Sequence, residues 1–214
     1  MIIRWLGHSC FYCEGEGASL LTDPFDQEVG YALPGVEVDV VTVSHEHYDH
    51  NAVGLLPGHP EVIRGPGSHR FKSLKIKGIP VFHDEVRGAK RGENTIFTWE
   101  MEGIHLCHLG DLGHLLDETA LKAIGKVDIL MVPVGGVYTI DASGARDVVA
   151  QLQPRLVIPM HYSTPHLSFD LDPLKDFTSS FEKVGQKKLW QGKVDSLPGE
   201  QEVVVLDYLP FSND

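Results

Sequence analysis

The chain has 214 residues, enough for a well-buried core, and its composition is that of an ordinary globular protein. Its formal net charge of −12 argues against a nucleic-acid partner, because binding to phosphates needs a basic face. No apolar run reaches the length of a membrane span, and the first residues predict a strand instead of a signal peptide. The sparse use of cysteine predicts a reduced, cytoplasmic protein.

Short strands dominate the predicted secondary structure. Apolar runs, alternating or continuous, identify them between glycine, proline and charged residues. In chain order they cover residues 1–6, 9–14, 19–22, 38–43, 61–64, 74–77, 79–82, 95–101, 104–109, 127–134, 156–160, 188–191 and 202–206. The first three form a meander with turns at residues 7–8 and 14–17.

Helices are fewer and fall mainly in the second half of the chain. They are expected after Asn51, over residues 68–73 as a short helix or turn, from Asp117 to 124, from Asp141 or Ser143 to 152, and over 173–184. Aspartate and serine at these starts are good N-caps. Strands and helices alternate in the second half, so the pattern predicts an α/β or α+β fold, in one domain over residues 1–214.

Four candidate metal ligands follow the buried strand 38–43 within six residues: His45, His47, Asp49 and His50. In an extended segment residues i and i+2 point the same way, so His45 and His47 can bind one cation together. Asp49 and His50 are adjacent and face differently, which suits a second cation beside the first. The alternative is a polar loop that happens to contain three histidines. The two-metal spacing directly after a strand argues against it.

Three later strands also end in candidate ligands, which are His83, Asp111 and His161. In sheets of this kind, ligands gather beyond the carboxyl ends of the strands. The sequence therefore predicts that these side chains join the motif in one site. The ligands offer only nitrogen and oxygen, which suits Zn²⁺ and also Mn²⁺ or Fe.

The spacing of the four motif residues resembles the H-x-H-x-D-H signature of the metallo-β-lactamase superfamily. Within it, the chain is most similar to bacterial metal-dependent hydrolases related to ascorbate-6-phosphate lactonase and N-acyl-phosphatidylethanolamine phospholipase D. The short motifs that carry this closer likeness are Gly7-His8-Ser9, Thr22-Asp23-Pro24, Gly110-Asp111, Pro133-Val134-Gly135-Gly136 and Pro159-Met160-His161-Tyr162. The resemblance covers nearly the whole chain.

This resemblance implies a four-layer αβ/βα sandwich and a pair of divalent metal ions. It assigns His45, His47 and His83 to the first metal, Asp49, His50 and His161 to the second, and Asp111 as the bridge between them. Asp23 matches an acidic residue that supports the site from behind the ligands, although a turn residue before proline is an equal interpretation.

The implied activity is hydrolysis. Two metals lower the pKa of a bridging water from about 16 toward 7 and so present hydroxide at neutral pH. Asp49 could also accept a proton, Asp111 would hold the pair together, and Tyr162 could donate to the substrate. That substrate is expected to be a small ester, lactone or phosphoester, anionic or phosphorylated, and a homo-oligomer is compatible with the sequence.

Side chains outside the ligand set carry weaker signals. Arg87, Lys90 and Arg91 form a locally basic loop that could attract a phosphate group, although a solvated loop is the ordinary interpretation. Cys10 and Cys13 have C-x-x-C spacing, but residues i and i+3 of a strand project to opposite faces, which argues against a redox pair.

Two other functions are left open: a redox-active di-iron protein that handles O₂ or NO, and a non-catalytic binding module stabilised by its metals. The di-iron flavoprotein branch has glutamate where this chain has His47, which disfavours the first. Antibiotic hydrolysis is disfavoured because the zinc β-lactamases with a cysteine ligand lack the aspartate seen here as Asp111. His8 could enter the pocket, but an ordinary packed histidine is the favoured interpretation.

Overall fold

The structure is a computed structural model that describes residues 1–15 and 17–211. Its strands are β1 (Ile2–Trp5), β2 (Phe11–Gly15), β3 (Ala18–Thr22), β4 (Val40–Val43), β5 (Glu61–Arg64), β6 (Gly67–Phe71), β7 (Leu74–Phe82), β8 (Glu93–Met101), β9 (Ile104–His108), β10 (Ile129–Pro133), β11 (Leu156–Met160), β12 (Val184–Lys187), β13 (Trp190–Gln191) and β14 (Glu202–Leu206). Its helices are α1 (Glu118–Ile124), α2 (Ala142–Leu152) and α3 (Leu174–Thr178).

The strands form two sheets. The first has the order β13-β1-β2-β3-β4-β5 and the second the order β12-β14-β11-β10-β9-β8-β7-β6. Strands β1 to β3 are antiparallel neighbours, which confirms the predicted meander, although Glu16 of its second predicted turn lies outside the described residues. Strand β4 then pairs parallel with both β3 and β5. All four residues of β4 are buried, as expected of a parallel strand covered on both faces.

The second sheet combines hairpins with parallel crossovers. Strands β6 to β9 are antiparallel, whereas β9, β10 and β11 are parallel and joined through α1 and α2. The predicted N-caps are confirmed, since Asp117 accepts from the Ala120 N–H and Asp141 from the Gly144 N–H, both at 2.8 Å. Buried apolar residues of both sheets form one hydrophobic cluster.

Two predictions of helix were wrong, and both concern the edges of the second sheet. Residues 68–73 lie mostly in β6, and the helix predicted over 173–184 ends at Thr178, so that Val184 begins β12. Strands β6 and β12 are the two outermost strands of the sheet and are largely exposed. An exposed edge strand carries few buried apolar residues, so its sequence lacks the alternation that identifies strands elsewhere.

This topology brings several strand ends to one place. Strands β7, β9 and β11 run in the same direction, so their carboxyl ends share one edge of the second sheet. The end of β4 reaches that edge from the first sheet, because the Ser44 carbonyl accepts a hydrogen bond of 2.9 Å from the Thr95 N–H of β8. In residues 1–15 and 17–211, no helix is long and apolar enough to cross a membrane.

Candidate metal centre

The motif segment turns sharply after it leaves β4. The N–H groups of His50 and Asn51 both donate to the His47 carbonyl, at 3.0 and 3.1 Å. This turn places Asp49 and His50 beside the pair His45 and His47, with the ring centroids of His45 and His50 4.3 Å apart. His45 and His47 fall in one group of candidate ligands and Asp49 and His50 in another, while His45 and His50 also form a group with Asp23.

The first group of side chains consists of His45, His47 and His83. Their ligand atoms all lie within 4.8 Å of one another. His83 is placed directly after β7, where its N–H donates to the Gly92 carbonyl at 3.1 Å. His45 and His83 are buried, whereas His47 is exposed and faces the entrance of the site.

The second group consists of Asp49, His50 and His161, together with His8. Again the ligand atoms lie within 4.8 Å of one another. His161 directly follows β11 and has a left-handed backbone, with φ of 53°. Its N–H donates to the carbonyl of His8 at 3.3 Å, which joins the end of β11 to the first turn of the chain.

Asp111 lies between the two groups and is 2% exposed. Its Oδ2 atom is 3.2 Å from Nε2 of His83 and 3.2 Å from Nε2 of His161, and Nε2 of His50 lies at 3.3 Å. One carboxylate oxygen therefore faces imidazole nitrogens of both groups. This is the position that a carboxylate bridging two cations needs.

Several of these buried atoms have no hydrogen-bond partner within the described residues: Nε2 of His45, His50 and His161, and Oδ1 of Asp111. Unpaired buried polar atoms are rare in proteins because each costs free energy. Here they converge on one space, and imidazole nitrogens and carboxylate oxygens are the ligand atoms that divalent transition metals prefer. The residues present therefore fit a metal centre.

Two of these side chains, His45 and Asp111, have the protonation state that a cation needs. Burial and the neighbouring His50 lower the pKa of His45 to about 3, so its imidazole is neutral and has a lone pair for a cation. Burial tends to raise the pKa of Asp111, but His161 and His50 hold it well below its usual range. At neutral pH the site thus offers a neutral ligand beside an anionic one.

Asp23 fixes the orientation of two imidazoles from behind. It is fully buried, and its Oδ2 accepts from the Ser44 hydroxyl at 2.6 Å and lies 2.9 Å from Nδ1 of His50. The Ser44 hydroxyl in turn lies 2.9 Å from Nδ1 of His45. With both Nδ1 atoms engaged in this way, the Nε2 atoms of His45 and His50 face the site. Of the two interpretations of Asp23, the geometry favours the supporting one.

A family model for the beta-lactamase superfamily domain matches residues 2–161 of this chain, which include every residue of both groups. The chain belongs to the β-lactamase superfamily.

Relatives within and around this superfamily agree with that assignment. A metal-dependent hydrolase from Carboxydothermus hydrogenoformans is 30% identical over 212 residues, covering 82% of this chain and 91% of that protein. A crystal structure from Thermotoga maritima, assigned as a Zn-dependent hydrolase of the metallo-β-lactamase superfamily, matches with a TM-score of 0.82 and 42% identity, over 96% of this chain and 97% of that one. Isothiocyanate hydrolase from Delia radicum gut bacteria shares the fold, with a TM-score of 0.66 at 13% identity over 84% and 91% of the two chains.

These similarities confirm the predicted superfamily and the αβ/βα sandwich of the metallo-β-lactamase fold. The closer likeness to relatives of ascorbate-6-phosphate lactonase stays a prediction.

A cavity of about 470 Å³ opens over the metal centre of this superfamily member. Side chains from several loops line it: Glu46, His47, Tyr48, Asp49, His83, Arg91, Asp111, Tyr138 and Phe169. Tyr162, a predicted donor to the substrate, is not among them. Its ring stacks on Trp5 with centroids 5.3 Å apart, and burial raises the pKa of its hydroxyl. Tyr162 therefore packs against Trp5 and does not line the wall of this cavity.

His8 contributes more to the superfamily site than its sequence context predicts. It is 1% exposed, and its Nε2 lies 3.3 Å from Oδ2 of Asp49. Burial and the neighbouring His161 lower its pKa to about 4, which keeps the imidazole neutral. Its left-handed backbone, with φ of 51° after Gly7, could have signalled a specialised turn, but that conformation is not visible in a sequence.

The three cysteines, Cys10, Cys13 and Cys107, are all buried and unpaired. Burial raises the pKa of each thiol well above its ordinary value, so none is a reactive thiolate.

We expect the double replacement Cys10→Ala and Cys13→Ala to leave metal content unchanged and to lower stability by about 1 kcal/mol per site, through the small cavities it creates. Metal analysis with urea unfolding tests this, and a loss of metal from the folded variant would show that the C-x-x-C pair serves the metal site.

Proposed function

We propose that this chain is a hydrolase that uses two divalent metal ions to cleave a small ester, lactone or phosphoester. The observation that carries the proposal is Asp111, whose Oδ2 contacts imidazoles of both ligand groups. The names of its relatives, which include metal-dependent hydrolases, support the same chemistry. In this proposal the first metal takes His45, His47 and His83, the second takes Asp49, His50 and His161, and residues 1–214 act as one domain.

When bound, such a pair of cations activates a water molecule as nucleophile and stabilises the negative charge that develops on the substrate. The chain supplies the remaining functions. Asp23 holds the imidazole of His50 in one tautomer, and His8 donates toward Asp49, which keeps that carboxylate oriented. Asp49 also lines the cavity, so its oxygen can accept a proton there.

The site suits a small substrate. The cavity of about 470 Å³ has the volume of an ordinary small-molecule pocket, and its wall combines ligand residues with the aromatic rings of Tyr138 and Phe169. The nitrogen and oxygen ligands favour Zn²⁺, with Mn²⁺ or Fe as alternatives. Three unpaired buried cysteines support action in a reducing compartment such as the cytoplasm.

Elemental analysis of protein purified without added metal, followed by a panel of chromogenic esters, lactones and phosphodiesters, tests the proposal. We expect two metals per chain and turnover that a chelator abolishes. Iron with an optical band and no hydrolysis would instead support the redox alternative. Stability that depends on metal, without turnover on any member of the panel, would support a binding module.

A single replacement tests the division of ligands between the two metals. We expect His161→Ala to weaken the second metal selectively, because the first group does not include His161. Metal titration should show one site near wild-type affinity and one weakened by about tenfold or more. Replacement of the exposed His59 by Ala is the matched control and should change neither site. Wild-type affinity at both sites in His161→Ala would contradict the assignment of His161.

A further inference from the structure

The loop that follows His83 is held rigidly by one buried carboxylate. Asp84 is 1% exposed, and its two oxygens accept hydrogen bonds from the backbone N–H groups of Val86, Gly88, Lys90 and Arg91, at 2.8 to 2.9 Å. The backbone of Arg91 is therefore fixed beside the metal centre.

The Arg91 side chain is fixed as well. Its Nη2 donates to the Val137 carbonyl at 3.0 Å, and its guanidinium carbon lies 5.5 Å from the centre of the Tyr138 ring. Arg91 lines the cavity over the metal centre and also a neighbouring cavity of about 500 Å³. It thus stands on the wall that the two cavities share, anchored at its backbone and at its guanidinium.

The partner of Arg91 is held in an unfavourable conformation. Val137 is β-branched and has φ of 52°, in the left-handed region that such residues rarely adopt. Strained backbone of this kind persists where the surrounding structure holds it, and it is concentrated at ligand-binding sites. Here the strained residue presents its carbonyl to Arg91.

Two cations near Arg91 are already paired with carboxylates. Arg64, which lines the second cavity, forms an ion pair with Glu46 at 2.5 Å, and Lys90 is paired with Glu85. No carboxylate among residues 1–15 and 17–211 lies within 4.0 Å of the Arg91 guanidinium. A guanidinium has five N–H donors, so most of its hydrogen-bonding capacity is available at the cavity wall.

We propose that Arg91 is the anion-binding subsite of the cavity, and that the substrate carries a carboxylate or phosphate group separate from the bond that is cut. This inference rests on the proposed function, since it places the other end of the substrate on the metal centre. The planar fork of a guanidinium matches both kinds of anion, and a fixed fork loses little entropy when it binds them. Of the three basic residues of this loop, Arg91 lines both of these cavities, whereas Arg87 and Lys90 line neither.

Equilibrium binding of small carboxylates to the metal-loaded protein tests the subsite without requiring turnover. Glutarate and 4-phosphonobutyrate carry a second anionic group, whereas butyrate does not. We expect Arg91→Met to lower the affinity for glutarate or 4-phosphonobutyrate by about tenfold or more and to leave the affinity for butyrate unchanged. The reason is that hydrogen bonds to charged groups are among the stronger ones. The more affected of the two dianions identifies the natural anion as carboxylate or phosphate.

Two further variants sharpen the result. Lys90→Met removes a cation from the same loop, but one that is exposed and paired with Glu85, so all three ligands should bind as to wild type. Arg91→Lys keeps the charge without the fork and should recover part of the lost affinity. Equal loss of butyrate and of both dianions in Arg91→Met, or no loss of any of them, would overturn the subsite.

A failure of the proposed hydrolase function would give a different result in the same binding experiment. If a chelator did not weaken butyrate binding, the metal centre would not be the carboxylate site, and the proposed function would be wrong. Selective loss of the dianions in Arg91→Met would still support the anion subsite in that case.

Discussion

Replacing Asp111 by Asn is expected to lower hydrolysis by a factor of about 10² or more and to reduce metal content toward one ion per chain. Asn keeps the shape of the side chain but carries no negative charge to offset the repulsion between two cations. It would also place an amide N–H or a neutral oxygen where Oδ2 now faces the imidazoles of His50, His83 and His161. Excess metal should restore part of the activity, because the other ligands stay in place.

The fold should survive this replacement. The backbone N–H of Asp111 donates to Oδ1 of Asn94 at 3.1 Å, and the Asn94 amide donates to the Leu109 carbonyl at 2.8 Å, so the loop is held without the carboxylate. Circular dichroism should therefore match that of wild type. Asp147→Asn makes the same chemical change on the exposed face of α2 and should have no effect. Two metals and near wild-type turnover in Asp111→Asn would remove the centre of the proposed site.

The second large effect is expected from Asp23→Asn, which touches no metal in the proposed site. Oδ2 of Asp23 accepts from the Ser44 hydroxyl and faces Nδ1 of His50, while Oδ1 accepts from the Ser44 N–H at 2.8 Å. If the side-chain oxygen of Asn continues to accept the hydrogen bond from the Ser44 N–H, its NH₂ group must face Nδ1 of His50. That nitrogen then has to accept, the proton moves to Nε2, and the imidazole can no longer bind a cation through Nε2.

We expect the affinity for the second metal to fall by about 10- to 100-fold in Asp23→Asn, the usual effect of losing such a support. Metal titration measures this, and the stability of metal-free protein is measured alongside. Asp128→Asn is the matched control, since Asp128 is also buried and accepts a backbone N–H, from His105 at 2.9 Å, away from the metal centre. Both variants should lose stability, but only Asp23→Asn should lose metal. Equal metal affinity in the two variants would show that Asp23 is a structural turn residue.

Much of the fold could be predicted because buried strands have a direct signature in sequence. Strands β10 and β11 are continuous apolar runs, β4 is interrupted only by Thr42, and each of the three is buried along its whole length. The edge strands β6 and β12 could not be identified in this way, since pairing on one side leaves them exposed and their composition is polar. Hydrophobic periodicity identifies a strand by its buried residues, and these edge strands have few of them.

The residues of the candidate site also differ in whether the sequence alone could place them. Residues that directly follow a strand, such as His83 and His161, could be placed from the ends of the apolar runs. Arg91 and His8 could not, because their positions depend on hydrogen bonds and backbone turns formed between distant segments. Gly110 shows the same limit: a side chain there would overlap Asn94 and Ser44, so glycine is required, and only the tertiary structure reveals this.

The spread of the proposed ligands over both sheets has a consequence for protein synthesis. Those of the motif follow β4 in the first sheet, whereas His161 follows β11, late in the second. A nascent chain that has left the ribosome only as far as α2 lacks His161, and its second sheet still lacks β11, so the second metal cannot be fully coordinated. In the proposed site, full coordination of the second metal therefore has to wait until β11 and His161 have been synthesised. An ion bound between the two sheets would hold together segments that lie far apart along the chain. Its loss should therefore speed unfolding more than it slows folding.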